Sequence, residues 1–199
     1  MLHILRTGEA QAGDGVLRAM FAARKSVFVD LLKWDVPIVA GTYEMDRFDD
    51  AHATYLVLTD AGGAHLGSAR LLRTDRPHIL GSFYPELCAN GAPCGPRVQE
   101  VTRFCLDRRL KAAERREVRD TLVSALANHA LATGIEAYSA IAQIGWFQQN
   151  MLESCADAFG RKRLGHTHRP PGRIRWRVSP LKRGSHASAP PLRRKRNLP

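Results

Sequence analysis

Residues 98–142, VQEVTRFCLDRRLKAAERREVRDTLVSALANHALATGIEAYSAIA, decide the fold. Residues 98–106 are rich in β-branched and aromatic side chains and predict a strand. From about 112 to 133, Val118, Leu122, Val123, Leu126 and Ala130 fall on one face of a helix, which Gly134 is placed to end. IEAYSAIA, 135–142, reads as a further strand. On the N-terminal side, ATYLVLT (53–59) and AHLGSARLLR (64–73) flank Ala61-Gly62-Gly63 and predict an antiparallel hairpin. Ahead of it, Leu17, Met20, Phe21, Val27, Phe28 and Leu31 recur at three- and four-residue steps behind Asp14, a candidate N-cap, and predict a helix to about Leu32. LHILR, 2–6, makes a short opening strand. Residues 34–51 and 74–96 show neither period and are expected as long loops, the first rich in polar groups. Toward the C-terminus a helical segment is expected at about 146–158. Ile174, Trp176 and Val178 then alternate with Arg173, Arg175 and Arg177 in the pattern of a half-exposed strand. The order of elements predicts an α/β or α+β domain of three layers, a mixed central sheet flanked by helices.

At 199 residues with 44% hydrophobic composition, the chain can bury one sizeable core. No run approaches the roughly 18–20 apolar residues that span a bilayer. The opening MLHILRTGEAQAGD has no basic-then-apolar leader pattern, so no membrane association and a cytoplasmic location are the expectations. Cys88, Cys94, Cys105 and Cys155 show no metal-ligand spacing and are read as reduced thiols, with Cys105 and Cys155 packed; no metal site is expected. The net charge of +11 is unevenly placed. Residues 1–160 carry 17 Lys and Arg against 19 Asp and Glu, whereas 161–199 carry 13 Lys and Arg and no acid. Residues 1–179 are therefore expected to form the domain and 180–199 a basic disordered tail. Such a tail attracts nucleic acid or another acidic partner as readily as it solubilises, but the body holds no nucleic-acid-binding module, which disfavours that function.

Three groups of residues carry chemistry. Arg24, Phe28 and Trp34 sit at and beyond the end of the first helix, where a cation and two aromatics suit a ligand bearing a carboxylate and an adenine or sulfonium; a core Phe28 and a surface Arg24 account for the same spacing. In Glu44-Met45-Asp46-Arg47-Phe48-Asp49, two acids three residues apart can face one cation, and Arg70 on the hairpin's second strand supplies it. Glu100 and Arg103 would fall on opposite faces of a regular strand and serve one site only if a β-bulge intervenes. There the carboxylate would act as general base toward an amine, and N–H groups freed by the bulge would stabilise an oxyanion.

Arg24, Phe28, Trp34, Asp46, Asp49, Arg70, Glu100 and Arg103 occur in the order and at the spacings of the LuxI-type acyl-homoserine-lactone synthases, a family this sequence resembles over about residues 2–135. ARKSVFVDLLKWDVP, EMDRFDDAHATYLV, GSARLL and EVTRFCLD all look like family blocks. The resemblance implies a fold like that of the GNAT acyltransferases. It also implies a reaction in which S-adenosylmethionine, a substrate rather than a cofactor, supplies the homoserine lactone, while acyl carrier protein or acyl-CoA supplies the chain. By the same resemblance, Arg24, Phe28, Trp34 and Arg103 shape the adenosylmethionine pocket. Asp46, Asp49 and Arg70 form an electrostatic cluster, Glu100 is the base, and Phe83, Tyr84, Thr102, Phe104 and Ala140 border the acyl chain. Two departures stand out. No threonine occurs in Tyr138-Ser139-Ala140-Ile141-Ala142-Gln143, where many members that take 3-oxo chains have one, and 146–165 differ in length and composition. A general GNAT-type N-acyltransferase is the competing enzyme reading, disfavoured because Leu106–Ala113 holds no glycine for a phosphate-binding loop.

Overall fold

The computed structural model describes residues 1–7, 14–142 and 175–180. Strand β1 (Leu2–Arg6) leads to helix α1 (Asp14–Arg24), which runs straight into a π-helical stretch, Lys25–Leu31. Two short strands follow, β2 (Ile38–Val39) and β3 (Tyr43–Glu44), then the hairpin β4 (Thr54–Thr59) and β5 (His65–Arg73). Helix α2 (Ile79–Phe83) and a 3₁₀ turn (Pro85–Leu87) precede β6 (Val98–Leu106), α3 (Ala112–Thr133), β7 (Ala137–Ala142) and β8 (Arg175–Pro180). The main sheet has the order β1-β4-β5-β6-β7-β8. Its first four strands are antiparallel, whereas β6–β7 and β7–β8 are parallel, so the sheet is mixed as expected.

Alternation along the strands separates two cores. Leu56, Leu58, Ala69, Leu71, Val101 and Leu106 pack against Leu122, Leu126 and Ala130 of α3. On the opposite face Tyr55, Val57 and Leu72 meet Met20 and Phe21 of α1 and Phe48. β4 is buried along its whole length, as its nearly unbroken apolar run requires. A smaller cluster of Val27, Phe28 and Cys105, with Trp34 against it, lies under the π-helical stretch.

The crossover α3 and strand β6 have the expected bounds, and Gly134 ends the helix in the left-handed region at φ 72°. Three expectations need correction. The first helix does not run to Leu32 as an α-helix, and Asp14 lies inside its first turn. Past Arg24 the turn widens, Leu32 N–H donating to the Val27 carbonyl five residues back at 2.9 Å, so Leu31 faces solvent at 52% exposure. The segment 34–51 contains the β2–β3 pair rather than loop alone. Likewise 74–96 carries α2 and the 3₁₀ turn. The helix at 146–158, Cys155 and the tail residues 181–199 lie outside the described residues. Cys88, Cys94 and Cys105 are free thiols, and Cys105 is buried.

α3 lies close on β5 at Gly67, where an added Cβ would stand 2.9 Å from Val118 Cγ1 and 3.0 Å from Leu106 Cδ2. Gly67→Val is therefore expected to overpack this contact and lower Tm by roughly 2–12 °C. Thermal unfolding followed by circular dichroism checks it; a Tm within a degree of the parent would show that α3 moves freely off the sheet.

Candidate active site

At the end of α1, the β2–β3 hairpin and the open faces of β5 and β6 meet around a closed ionic cluster. Arg24 donates from Nε to Glu44 Oε2 at 2.6 Å, and from Nη1 and Nη2 to the two oxygens of Asp49 at 2.8 and 2.9 Å. Arg70 grips Asp46 in the same forked way at 2.7 and 3.0 Å, reaches Asp49 at 2.9 Å and donates from Nε to Thr102 Oγ1 at 3.0 Å. Arg103 closes the set, donating to Glu44 at 3.0 Å and to Asp46 at 2.8 Å. Three guanidiniums thus face three carboxylates, and paired, forked contacts are the arrangement that repays burial of charge. Arg24, Arg70 and Glu44 are each 1% exposed or less. The turn itself is preorganised. Asp46 accepts from Phe48 N–H and Asp49 accepts from Asp46 N–H, both at 2.8 Å, and Tyr55 O–H donates to Asp49 at 2.9 Å.

Protonation follows from this packing. Burial pushes the Asp49 and Asp46 carboxyls up, but Arg70 together with Arg24 for the first, and with Arg103 for the second, holds both below the usual carboxylate range. Burial and the neighbouring Asp49 raise the Tyr55 phenol, which stays a hydrogen-bond donor.

The bulge that the Glu100–Arg103 spacing required is present. Arg70 pairs with Thr102 and Ser68 with Cys105, so Arg103 and Phe104 together oppose Ala69. Arg103 takes φ 49°, a conformation costly for a residue with a side chain. The extra residue turns Arg103 onto the face that Glu100 and Thr102 share, while Val101, Phe104 and Leu106 pack toward α3. There its guanidinium carbon stands 5.7 Å from the Phe28 ring centroid and 5.9 Å from that of Trp34. These two rings stack at 4.6 Å and 15°. The convergence of a cation and two aromatics is real, with one correction: the cation is Arg103. Arg24 lies beneath, against Phe21, with its guanidinium taken up by Glu44 and Asp49.

Glu100 is fully buried, and its two oxygens accept Ile79 N–H at 2.8 Å and Leu80 N–H at 2.9 Å from the start of α2. Burial pushes its pKa up, to about 7, against the lowering effect of those two bonds. The five residues expected around an acyl chain fall into two sets. Phe83 stands edge-on to Phe48 on the α1 side, with Tyr84 next to it, and Thr102 bonds Arg70. Phe104 and Ala140 pack against the α3 core and flank the point where β6 and β7 part, since pairing stops at Val101–Ala140 although β6 continues to Leu106.

Glu44 is the residue that spacing alone failed to single out. Its signal lay in the quoted EMDRFD run, yet a two-residue strand gives no periodicity to show that it points inward. Tyr55 and Arg47 were equally unmarked.

The family model described as autoinducer synthase matches residues 11–149. An acyl-homoserine-lactone synthase of Ralstonia solanacearum is 37% identical over 99 residues, 49% of this chain and 48% of that protein. One of Rhizobium etli is 36% identical over 139 residues, 68% of this chain and 65% of that protein. The chain spans about half the length of the first of these curated relatives. Among solved structures, BjaI, a CoA-dependent acyl-homoserine lactone synthase with SAM and isopentyl-CoA, superposes with TM-score 0.68 at 26% identity, covering 75% of this chain and 69% of that one. LasI superposes with TM-score 0.67 at 26% identity, over 77% and 76%.

Arg70→Ala leaves Asp46 and Asp49 facing each other in a dry site and is expected to cost about 3–5 kcal/mol, read by denaturant unfolding. A loss below about 1 kcal/mol would mean that the cluster repacks without its centre. A second expectation concerns pH. Because the folded pKa of Glu100 lies above its ordinary 4.5, the folded protein holds a proton that the unfolded chain has released between about pH 4.5 and 7. Stability from this group is present below that window and falls as pH rises through it, by on the order of 3 kcal/mol. Asp46 and Asp49, shifted the other way, act only below about pH 4. Wild type should therefore lose stability relative to Glu100→Gln between pH 5 and 8; parallel pH profiles for the two proteins would contradict it.

Proposed function

The chain belongs to the autoinducer synthase family, and we propose that it makes an N-acyl-homoserine lactone from S-adenosylmethionine and an acyl thioester. The observation that carries this reading is Arg103, forced by the bulge over a stacked Phe28–Trp34 pair and fixed there by Glu44 and Asp46. Flat aromatic faces suit an adenine or a sulfonium, and a guanidinium edge suits a carboxylate, so this corner matches the two ends of adenosylmethionine. Asp46, Asp49, Arg70 and Arg24 hold that corner in place.

The chemistry then divides into two displacements. The substrate amine attacks the thioester carbonyl, the thiol leaves, and an amide forms. Next the substrate carboxylate attacks the γ-carbon; the C–S bond breaks, its electron pair neutralises the sulfonium, and methylthioadenosine departs with the lactone closed. The amine must lose a proton in the first step. We assign its acceptance to Glu100, whose raised pKa suits a base near neutrality. Because both oxygens are held by α2 and the side chain is closed to solvent, transfer to it runs through a relay or follows a shift of α2. The thioester arm fits the place beyond Val101 where β6 and β7 part, between Phe104 and Ala140.

The donor is acyl-CoA or acyl carrier protein. The turn before α3 is not the glycine-rich phosphate cradle of a general acetyltransferase: Arg109 N–H and Lys111 N–H are already taken by Asp107 and Glu114. That weighs against the N-acetyltransferase alternative. Lys111, Arg115, Arg116 and Arg119 on α3 offer a basic face to an acidic carrier, although Arg119 pairs with Asp120 and Arg115 donates to the Asp107 carbonyl. No helix among the described residues is long and apolar enough to cross a membrane, and we place the reaction in the cytoplasm.

The test is incubation of the purified protein with S-adenosylmethionine and the same acyl group on CoA or on carrier protein, with mass spectrometry of the products. A lactone and methylthioadenosine in equal amounts are expected. An acylated amine without methylthioadenosine would reduce the protein to a general acyltransferase. Replacing Arg115, Arg116 and Arg119 by Glu should raise the carrier-protein KM at low salt and leave adenosylmethionine binding unchanged; a strong carrier preference that survives the change excludes this face as the dock.

A further inference from the structure

Ser139 of β7 is fully buried, and its hydroxyl has no hydrogen-bond partner among the described residues. A buried hydroxyl left in this state costs free energy, so its position calls for a reason. Its neighbours Tyr138 and Ala140 pack toward α3, and Tyr138 O–H donates to the Leu126 carbonyl at 2.9 Å. Alternation therefore turns Ser139 to the opposite face of the sheet.

On that face the register of the parallel pair sets Ser139 beside Glu100. No hydrogen bond joins the two in the structure, where both Glu100 oxygens meet the N–H groups of Ile79 and Leu80. Those groups only donate. They suit the ionised carboxylate, and Arg70 on β5 and Arg103 on β6 favour it further by their charge. Leu72, opposite Glu100 on β5, is apolar, and on its far side Ser139 pairs in register with Arg177 of β8. His78 Nε2, also without a partner, lies against Gly81. The acid form of Glu100 has a different need. Its O–H is a donor, and neither an amide N–H nor a guanidinium can accept from it, whereas a serine oxygen carries two lone pairs.

We propose that Ser139 is a positioning residue for Glu100: turned about its Cα–Cβ bond, its hydroxyl accepts the hydrogen bond of the protonated carboxyl and so gives the proton that Glu100 takes up a fixed place in a dry site. Ser139 itself neither gains nor loses a proton. This rests on the role of Glu100 in the lactone synthesis proposed above. Removing the hydroxyl harms the acid form most, because the ionised form keeps both N–H bonds and both guanidiniums.

Ser139→Ala should therefore lower the upper end of the pH window over which Glu100 loses stability, about 7 in wild type, by about 0.5–1 unit. Denaturant unfolding between pH 5 and 8 reads it. Ser139→Thr, which keeps the hydroxyl, should hold the window where wild type has it, and in a Glu100→Gln background Ser139→Ala should leave the pH profile unchanged. At saturating substrate the acid limb of kcat should move down with the window, while both KM values stay within about twofold. Infrared difference spectra across the same range give a second reading. The acid carbonyl band of Glu100, identified by its loss in Glu100→Gln, should shift in Ser139→Ala. A window that stays or rises in Ser139→Ala, or an acid band that keeps its place, overturns the proposal. Unfolding and infrared use no substrate, so if wild type forms no lactone the functional reading fails on its own and these two still decide the pairing.

Discussion

The forked grip of Arg70 on Asp46, extended through Asp49 to Arg24 and through Glu44 to Arg103, is the constraint from which the site follows. It joins five parts of the chain that share no local periodicity: the end of α1, strand β3, the turn 45–49, β5 and the bulge of β6. Each member alone would be an intolerable buried charge. Together the six neutralise one another, and every guanidinium meets more than one acceptor, so the cluster is stable only when complete. Such all-or-none pairing fixes the geometry of its neighbours more tightly than apolar packing does, because hydrogen bonds are directional where dispersion is not.

Two departures from regular backbone serve this cluster. The π-helical stretch carries the chain from Arg24, which must point inward to Glu44, to Phe28, which must lie over Cys105 and beneath Trp34. The bulge lets Arg103 join the face of Thr102 instead of opposing it. Both irregularities cost conformational energy, and both stand beside the residues proposed to hold substrate, where strain is retained because the surroundings over-determine it.

The sequence was legible where local preference and tertiary packing ask for the same thing. β6, α3 and its Gly134 terminus, and the β4–β5 hairpin are of this kind. Asp46, Asp49 and Arg70 could be joined on paper because three residues in a turn bring two carboxylates to one side. Leu31 misled, since an apolar residue at helical spacing looks buried until the turn widens beneath it. Arg24 misled for a different reason: a guanidinium at a helix end reads the same whether it meets a ligand or a carboxylate twenty residues away. Glu44 lay in a strand too short to have a period. What decides these positions is long-range charge pairing, which leaves no pattern in neighbouring residues.

Closure of the cluster also decides how the protein responds to ionic strength. Mobile ions screen charges they can approach, such as the exposed pairs Arg73–Asp75 and Arg97–Glu136. They cannot reach the inner pairs that Arg24 and Arg70 make with Glu44 and Asp49, whose side chains are at most 1% exposed. Salt therefore leaves the scaffold of the site in place while it weakens any attraction between the basic face of α3 and an acidic donor, so the cell's electrolyte tunes encounter without touching the machinery that encounter feeds.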